Sequence, residues 1–224
     1  MEIATNLERF KNEELPEGVE LVAVSKTKTN DEIMEAYNMG HRAFGENRVQ
    51  ELVQKYEELP KDIRWHMIGH LQSNKVKYIT PFVHLIHSVD KPKLLKIINK
   101  EAKKHNRIID VLLQFHIAEE ETKYGFNSEE AEQLLKSAQF AEYENVNIRG
   151  VMGMATFTND LEKVRREFKH LAEIFKQLKQ AYFFENPDFK EISMGMTNDY
   201  KVAIEEGATM IRIGSLIFGE RNYH

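Results

Sequence analysis

The segment ELVAVSK, residues 20–26, has the form that recurs along the chain and decides the fold. Its apolar residues run without interruption from Leu21 to Val24, and the run ends at Ser25 and Lys26. A short continuous apolar run predicts a strand that other layers cover on both faces. The lysine at its end is either the point where the strand meets solvent or a chemical group, and the other strand ends must distinguish these interpretations.

Similar short apolar runs follow along the chain, separated by longer amphipathic stretches. They cover residues 42–47, 65–69, 84–89, 110–116, 148–154, 191–195 and 210–214. Together with the first run they predict eight strands, each followed by a helix or a helical turn.

The stretches between the strands carry helical spacing with recognisable ends. Thr29 or Asn30 can cap the first helix after a strand, and Asp160 precedes a long apolar stripe. In the segment LQSNK, Ser73 or Asn74 can cap a further helix start. Less regular helical spacing covers residues 47–58 and 128–142.

Strict alternation of strands and helices predicts parallel strands joined by right-handed crossovers. Eight such units, with an extra helix at the N-terminus, fit a closed (β/α)8 TIM barrel, which typically takes about 250 residues. The chain has 224 residues, so the barrel should be compact. A doubly wound open sheet is the alternative, but it usually has fewer strands at this length. No Pro-, Gly- or Ser-rich linker divides the sequence, which predicts a single domain over residues 1–224.

Composition excludes several classes of function. The chain has 31 basic and 36 acidic residues, which argues against a nucleic-acid partner bound through phosphate neutralisation. The absence of cysteine excludes disulfides, thiolate nucleophiles and zinc–thiolate sites. No apolar run approaches the roughly 18 residues of a membrane span, and the charged first segment does not resemble a signal peptide. We therefore expect a soluble cytoplasmic protein and, without a heptad seam or a long apolar edge, a monomer.

The last two strands end in segments that suit a phosphate group. In a TIM barrel the active site lies at the carboxyl ends of the strands, and the loops after strands seven and eight frequently bind phosphate. SMGMTND (193–199) and RIGSLIFG (212–219) place small residues and backbone N–H groups there. Gly214 allows close approach to the backbone, whereas Arg212 lies within its strand and should sit beside the body of the ligand. The hydroxyl donors of these segments are Ser193, Thr197 and Ser215.

A lysine that ends strand one across the barrel mouth from a phosphate site can hold a phosphorylated aldehyde as a Schiff base. Desolvation lowers the pKa of a lysine, which makes imine formation feasible near neutral pH. Two ligand classes fit Lys26: a sugar phosphate, as in Schiff-base aldolases, and pyridoxal phosphate. Phe44 and Met154, at other strand ends, favour a flat ring in the site. The competing interpretation is a strand-end lysine that keeps its ammonium group in solvent.

Six motifs occur in a characteristic order: VAVSKTK, FGEN, WHMIGHLQSNK, KYGF, SMGMTND and RIGSLIFG. In this order and spacing they closely resemble the pyridoxal phosphate homeostasis proteins, the YggS/PROSC family. The resemblance spans residues 20 to 219, and six ordered motifs are far more specific than any one of them. It implies a fold-type III barrel similar to the N-terminal domain of alanine racemase, with pyridoxal 5'-phosphate (PLP) on Lys26.

The resemblance also implies roles for individual residues. Lys26 would form the Schiff base, Asn47 would lie near the ring oxygen of PLP, and Arg212 would face its pyridine nitrogen. The phosphate would be bound by Ser193, Gly195, Thr197, Gly214 and Ser215. Thr197 stands where the family more usually has serine, and it keeps the hydroxyl group.

Arg212 bears on whether the protein is an enzyme. A guanidinium is permanently charged and has no acceptor, so it keeps the pyridine nitrogen of PLP unprotonated and disfavours carbanion chemistry, although racemases of this fold still turn over with an arginine there. Racemases of this fold take a further base from an additional domain and a partner subunit, for which we expect no room in a chain that ends at His224. The resemblance therefore implies a non-catalytic carrier that supplies or buffers PLP, with PLP-dependent apoenzymes as candidate recipients.

Two other functions stay open on the sequence alone. A slow PLP-dependent amino-acid racemase would need its base from within the barrel, where Tyr124 and His116 are the candidates. A Schiff-base aldolase acting on a sugar phosphate would hold no cofactor, and its lysine would be expected on a later strand.

Three further polar residues lie near strand ends without a firm role. Glu46 is either a catalytic carboxylate or the partner of a lysine or a helix end. His66 and His70 have HxxxH spacing, but they span a strand and its loop and no glutamate follows His66, so we expect no metal. We expect His66 to be a core or pocket histidine and His70 to lie at the mouth.

Overall fold

The strands form one closed parallel barrel, in which each pairs with its sequence neighbours and the first closes the ring against the last. This computed structural model describes residues 2–119 and 124–219. The strands are β1 (Glu20–Val24), β2 (Ala43–Glu46), β3 (Arg64–Met67), β4 (Leu85–Val89), β5 (Ile109–Gln114), β6 (Val146–Met152), β7 (Glu191–Ser193) and β8 (Met210–Ile213). The predicted TIM barrel and each of its predicted strands are confirmed.

Helices surround the barrel. They are α1 (Glu2–Glu13), α2 (Asn30–Asn38), α3 (Val49–Glu58), α4 (Val76–Ile79), α5 (Pro92–Lys104), α6 (Ser128–Lys136), α7 (Ala138–Ala141), α8 (Leu161–Tyr182), α9 (Tyr200–Glu205) and α10 (Ser215–Phe218), with a 3₁₀ turn at Ser73–Lys75. The extra N-terminal helix, α1, packs against α2 and α10 through a buried face that includes Leu7 and Phe10. None of the helices in the described ranges combines the length and apolar composition needed to cross a bilayer.

Two helices begin at the predicted caps. The Thr29 hydroxyl accepts a hydrogen bond from the Glu32 N–H, and the Glu32 carboxylate accepts one from the Thr29 N–H. The Asp160 carboxylate accepts from the Lys163 N–H at 3.1 Å. Oxygen side chains at these positions satisfy N–H groups that the first helical turn leaves without partners.

Two other helix predictions are wrong. Helical spacing predicts one helix over residues 128–142, but Ser137 is extended and caps α7, so the segment divides into α6 and α7. The expected cap from Ser73 or Asn74 is absent, because both residues lie inside the 3₁₀ turn and Gln72 occupies the cap position without a side-chain hydrogen bond.

The core has an outer layer, between barrel and helices, and an inner layer inside the barrel. The inner apolar layer consists of Val22, Leu85, Leu112, Met152 and Met210. Successive side chains of a strand face opposite sides, so on β1 Leu21 and Ala23 belong to the outer layer and Val22 to the inner one. Phe44 is fully buried in the outer layer, so the expectation that it flanks a flat ligand is wrong.

Candidate functional site

A cavity of about 710 Å³ opens at the carboxyl ends of the strands. It brings together most of the cofactor-binding residues that the sequence predicts: Lys26, Asn47, Met154, Thr197, Arg212, Gly214 and Ser215. Ser193 and Gly195, although described, are not among its lining residues. A cavity of this size matches small-molecule sites, which typically measure about 300–1,000 Å³.

Lys26 lies two residues after β1, on the side of the chain that continues the inward-facing residues of that strand. Val22 belongs to the inner layer of the barrel, and Val24 and Lys26 both line the cavity above it. Ser25, the intervening residue, is fully buried and bonds outside the cavity to Glu46. The strand thus continues the inner face of the barrel to a lysine, so the side chain stands at the cavity and not between barrel and helices.

The backbone just beyond Lys26 adopts an uncommon conformation. Thr27 has a φ of 64°, in the left-handed region that β-branched residues rarely adopt. Its N–H donates a hydrogen bond to Glu51 Oε2 at 3.1 Å. Strain of this kind costs about 1–3 kcal/mol and persists only where the surroundings enforce it. The hydrogen bond to Glu51 and the one from the Lys28 N–H to the Ser25 carbonyl both support this turn after the lysine.

Glu46 and Lys55 form a buried ion pair that contacts Ser25, the residue before Lys26. Lys55 Nζ lies 2.7 Å from Glu46 Oε1 and donates to the Ser25 carbonyl at 2.8 Å, while the Ser25 hydroxyl donates to Glu46 Oε1 at 2.6 Å. Burial raises the pKa of the Glu46 carboxyl, and the Lys55 ammonium opposes that shift. Of the two sequence interpretations of Glu46, pairing with a lysine is therefore confirmed, since the carboxylate is fully buried at that ion pair.

Asn47 owes its position to a close approach of two strand ends. A Cβ on Gly69 would lie 2.3 Å from the Asn47 carbonyl oxygen, which no side chain could tolerate. The absence of a side chain at Gly69 therefore lets the chain after β3 pass directly against the Asn47 backbone. Both residues line the cavity.

The segments after β7 and β8 meet at a pair of hydroxyl groups. Ser215 Oγ lies 3.3 Å from Thr197 Oγ1, and both side chains line the cavity. Gly195 has a φ of +91°, and a Cβ there would lie 2.6 Å from Ala203 Cβ, so the turn itself requires glycine. At Gly214 a Cβ would meet no protein atom closer than 3.4 Å, so protein packing does not demand glycine. A ligand approaching the backbone would explain it.

Arg212 lies at the base of the cavity, where two hydrogen bonds fix its guanidinium. Its guanidinium donates to Ser193 Oγ at 2.6 Å and to the Gly153 carbonyl at 3.2 Å. Burial lowers the pKa of Arg212 to about 10, which leaves the group charged at neutral pH. Ser193, for which the sequence predicts a phosphate contact, has its hydroxyl in this buried arrangement.

A chain of hydrogen bonds continues from Ser193 through the barrel interior. Ser193 Oγ lies 2.9 Å from His87 Nδ1, and His87 Nε2 lies 2.9 Å from His66 Nδ1. Because a guanidinium only donates, Ser193 accepts from Arg212, and the histidine tautomers determine which group donates in the Ser193–His87 and His87–His66 contacts. His66 is thus an interior histidine, as expected. Sequence reasoning missed His87 because it lies inside the apolar run of β4, and only its polarity within that run distinguishes it.

These interior histidines predict loss of stability in mild acid. Burial lowers the pKa of His66 and His87 well below the usual value and that of His41 to about 4. The unfolded chain therefore binds more protons below about pH 6.5, and each residue should reduce the free energy of unfolding by up to about 1.4 kcal/mol per pH unit as pH falls. Urea unfolding between pH 7.5 and 5.5 measures this slope.

Two histidine variants test the origin of this pH dependence of the free energy of unfolding. His41→Asn should make it shallower, whereas His170→Asn should leave it unchanged because His170 is exposed on α8. A free energy of unfolding that stays constant between pH 7.5 and 5.5 would contradict the assignment of neutral interior histidines.

The mouth of the cavity includes three further polar residues, His70, Tyr124 and Lys28. His70 lines it, as expected for a mouth residue, and stacks on Tyr124 with ring centroids 4.0 Å apart. Of the two candidate bases, Tyr124 lies in the cavity wall, whereas His116, within the described chain, does not. Lys28 also lines the cavity, where its ammonium donates to the Phe218 carbonyl at 2.9 Å.

The site presents a primary amine, a buried guanidinium and a hydroxyl pair beside exposed backbone. Across residues 2–119 and 124–219, no three His, Asp or Glu side chains are grouped as metal ligands. The amine can condense with an aldehyde, and the hydroxyls can donate to a phosphate. The residues present therefore fit a small phosphorylated aldehyde, the ligand class to which pyridoxal phosphate and sugar phosphates both belong.

Comparison with known proteins narrows this choice. A sequence model of the family described as alanine racemase, N-terminal domain, matches residues 1–222. The pyridoxal phosphate homeostasis protein of Aquifex aeolicus is 44% identical over 204 residues, 91% of this chain and 87% of that protein. The structure of PipY from Synechococcus elongatus without PLP has a TM-score of 0.90 at 35% identity, covering 97% of this chain and 100% of PipY. The structure of PipY with PLP bound has a TM-score of 0.86 at 34% identity, with the same coverages.

Proposed function

Because this chain belongs to the alanine racemase N-terminal domain family, among the pyridoxal phosphate homeostasis proteins, we propose that it binds PLP and acts in PLP homeostasis. The observation that carries the proposal is the convergence of Lys26, Arg212 and the Thr197–Ser215 hydroxyl pair on one cavity. The PLP bound in one of the two PipY structures supports the same ligand. We further propose that one domain, residues 1–224, carries this function in the cytoplasm as a monomer.

Each predicted site residue has a role in this proposal. When bound, PLP supplies an aldehyde carbon that condenses with a primary amine. Lys26 provides that amine, and Arg212 meets the pyridine nitrogen as a donor that holds the nitrogen unprotonated. Asn47 and Met154 flank the ring from the ends of β2 and β6.

Thr197 and Ser215 donate their hydroxyls to the phosphate, and the missing side chain of Gly214 leaves the backbone open to it. Gly195 shapes the turn that presents Thr197. For Ser193 the buried contacts favour a different role from the phosphate contact that the resemblance implies, namely holding the Arg212 guanidinium in place.

We propose a carrier without efficient turnover. Relatives are named homeostasis proteins and not enzymes, and Arg212 withholds the proton that would let the ring stabilise a carbanion. A slow racemase is the alternative, with Tyr124 as the base because it lies in the cavity wall. Incubating loaded protein with L-alanine in deuterated water measures this directly: α-proton exchange at the rate of free PLP supports a carrier, and faster exchange supports the racemase.

Loading the purified protein with PLP tests the proposed function. We expect one PLP to bind per chain, with a visible absorption band that borohydride abolishes and a mass increase that localises to Lys26. A sugar phosphate, dihydroxyacetone phosphate, provides the competing arm. Borohydride trapping of the sugar phosphate without binding of PLP would replace the carrier by a Schiff-base aldolase.

A further inference from the structure

The mouth of the cavity holds a histidine–carboxylate pair that the proposed function does not use. His70 Nδ1 lies 3.2 Å from Asp90 Oδ2, and the Asp90 side chain is only 3% exposed. Asp90 follows β4 directly and does not cap the next helix, since Lys91 occupies the cap position of α5. The carboxylate is therefore committed to the histidine, not to a helix end.

The second carboxylate oxygen strengthens this interpretation. Among the described residues Asp90 Oδ1 is buried without a hydrogen-bond partner, and the ammonium of Lys91 lies 3.8 Å from it. Burying a carboxylate costs free energy unless it is paired, so a buried aspartate whose main partner is a cavity histidine needs a reason. Orientation of that histidine supplies one.

The ring of His70 is fixed in plane as well as in direction. It stacks on Tyr124 with an interplanar angle of 19°, and the Gln114 amide donates to the Tyr124 carbonyl at 3.0 Å. Because Asp90 Oδ2 lies 3.2 Å from Nδ1, the carboxylate favours the tautomer with its proton on Nδ1, and Nε2 is the nitrogen that remains to accept a proton. The His70 side chain is 32% exposed, so an entering ligand can reach it.

We propose that His70, oriented by Asp90, is the proton-transfer group that lets a small primary amine displace Lys26 from its Schiff base with PLP. This inference rests on the proposed function and adds a ligand class, primary amines, together with a catalytic residue for exchange. The shared cavity of His70 and Lys26 carries it.

The exchange balances without an oxidant or a further reactant. The amine enters as an ammonium ion and gives one proton to His70 Nε2, and its lone pair forms a new C–N bond to the carbon of the protonated Schiff base with Lys26. His70 passes this proton to the Lys26 nitrogen and takes a second proton from the incoming nitrogen, whose lone pair then forms the new C=N bond as the bond to the Lys26 nitrogen breaks. His70 gives the second proton to Lys26, so Lys26 leaves as an ammonium group, the new Schiff base carries one proton and His70 is neutral again.

Methylamine and glycine serve as the probes, and borohydride quenching at timed intervals measures how much PLP remains on Lys26. The experiment compares loaded wild-type protein with His70→Ala, Asp90→Asn and the surface control His170→Asn. Intact mass after reduction without amine first establishes that each variant carries PLP on Lys26, so failure of the proposed function is recognised separately. Thermal unfolding establishes that each variant is folded.

We expect His70→Ala to slow exchange by about a hundredfold, the usual scale of general acid–base catalysis, and added imidazole to restore part of the rate. Asp90→Asn should slow it less, because the histidine remains but loses its orientation, and His170→Asn should match wild type. Exchange at the wild-type rate in His70→Ala, or slow exchange that imidazole does not restore, would overturn the proposal. If His70→Ala does not fold, the Asp90→Asn rate decides, and a wild-type rate there overturns it. Similar effects with both probes mean that the amine alone is recognised, and an effect confined to glycine would restrict the ligand class to amino acids.

Discussion

Replacing Lys26 with alanine should abolish covalent attachment of PLP while leaving the barrel folded. The side chain lines the cavity at the end of β1 and is partly exposed, so its removal leaves no large void in either core layer. We expect no borohydride-stable mass increase and no visible Schiff-base band after incubation with PLP. The measurement is intact mass before and after reduction, alongside the absorption spectrum.

Lys28→Ala is the matched control. Lys28 lines the same cavity and is also a lysine, and its ammonium donates to the Phe218 carbonyl at 2.9 Å and pairs with Glu32 at 3.2 Å. We expect this variant to keep the mass increase on Lys26. If Lys26→Ala still gains one borohydride-stable PLP while Lys28→Ala gains none, the roles of the two lysines are reversed.

Breaking the Glu46–Lys55 ion pair should cost far more stability than breaking an exposed ion pair. Lys55→Met leaves a fully buried carboxylate without its cation, and removing one partner of a buried pair typically costs about 3–5 kcal/mol. The change also removes the hydrogen bond from Lys55 to the Ser25 carbonyl, next to Lys26. We therefore expect a lower free energy of unfolding and weaker PLP binding together. Urea unfolding and PLP titration measure the two effects.

A double variant separates the pair from its surroundings. Glu46→Gln combined with Lys55→Met removes both charges, and it should recover much of the stability that Lys55→Met alone loses. Lys136→Met provides an exposed comparison, because its pair with Glu132 has both side chains at least half exposed and should contribute less than about 1 kcal/mol. Equal losses in Lys55→Met and Lys136→Met would show that the buried pair contributes nothing special.

The fold was accessible from the sequence because its signals are local and repeated. Each strand of the barrel coincides with a short, largely apolar segment, and caps such as Thr29 and Asp160 are oxygen side chains at the start of periodic stretches. The two wrong helix predictions both concern a serine, a residue that occurs at helix caps and also within helical stretches and turns. Ser137 caps a new helix inside a stretch with helical spacing, and Ser73 enters a 3₁₀ turn where a cap was expected.

The candidate site was accessible only in part, because strand parity and depth are tertiary properties. Lys26, Thr197 and Ser215 were predicted and do line one cavity. Phe44 looked equally suitable at a strand end, but its parity places it in the outer layer. Parity likewise puts Glu46 outside the barrel with Lys55, although it is adjacent to Asn47 at the mouth.

The sequence by itself determined the barrel, its strand ends and the family, since these depend on the order of short motifs along the chain. Only the tertiary structure decided which polar groups meet across distant strands. Arg212, Ser193, His87 and His66 come from four different strands, and their hydrogen-bond chain exists only when the barrel closes. The contact between His70 and Asp90 has the same origin, because it joins the end of one strand to that of the next. Closure of the sheet brings residues that are far apart in the sequence to within about 3 Å of one another. The order of residues in a single sequence does not specify these distances.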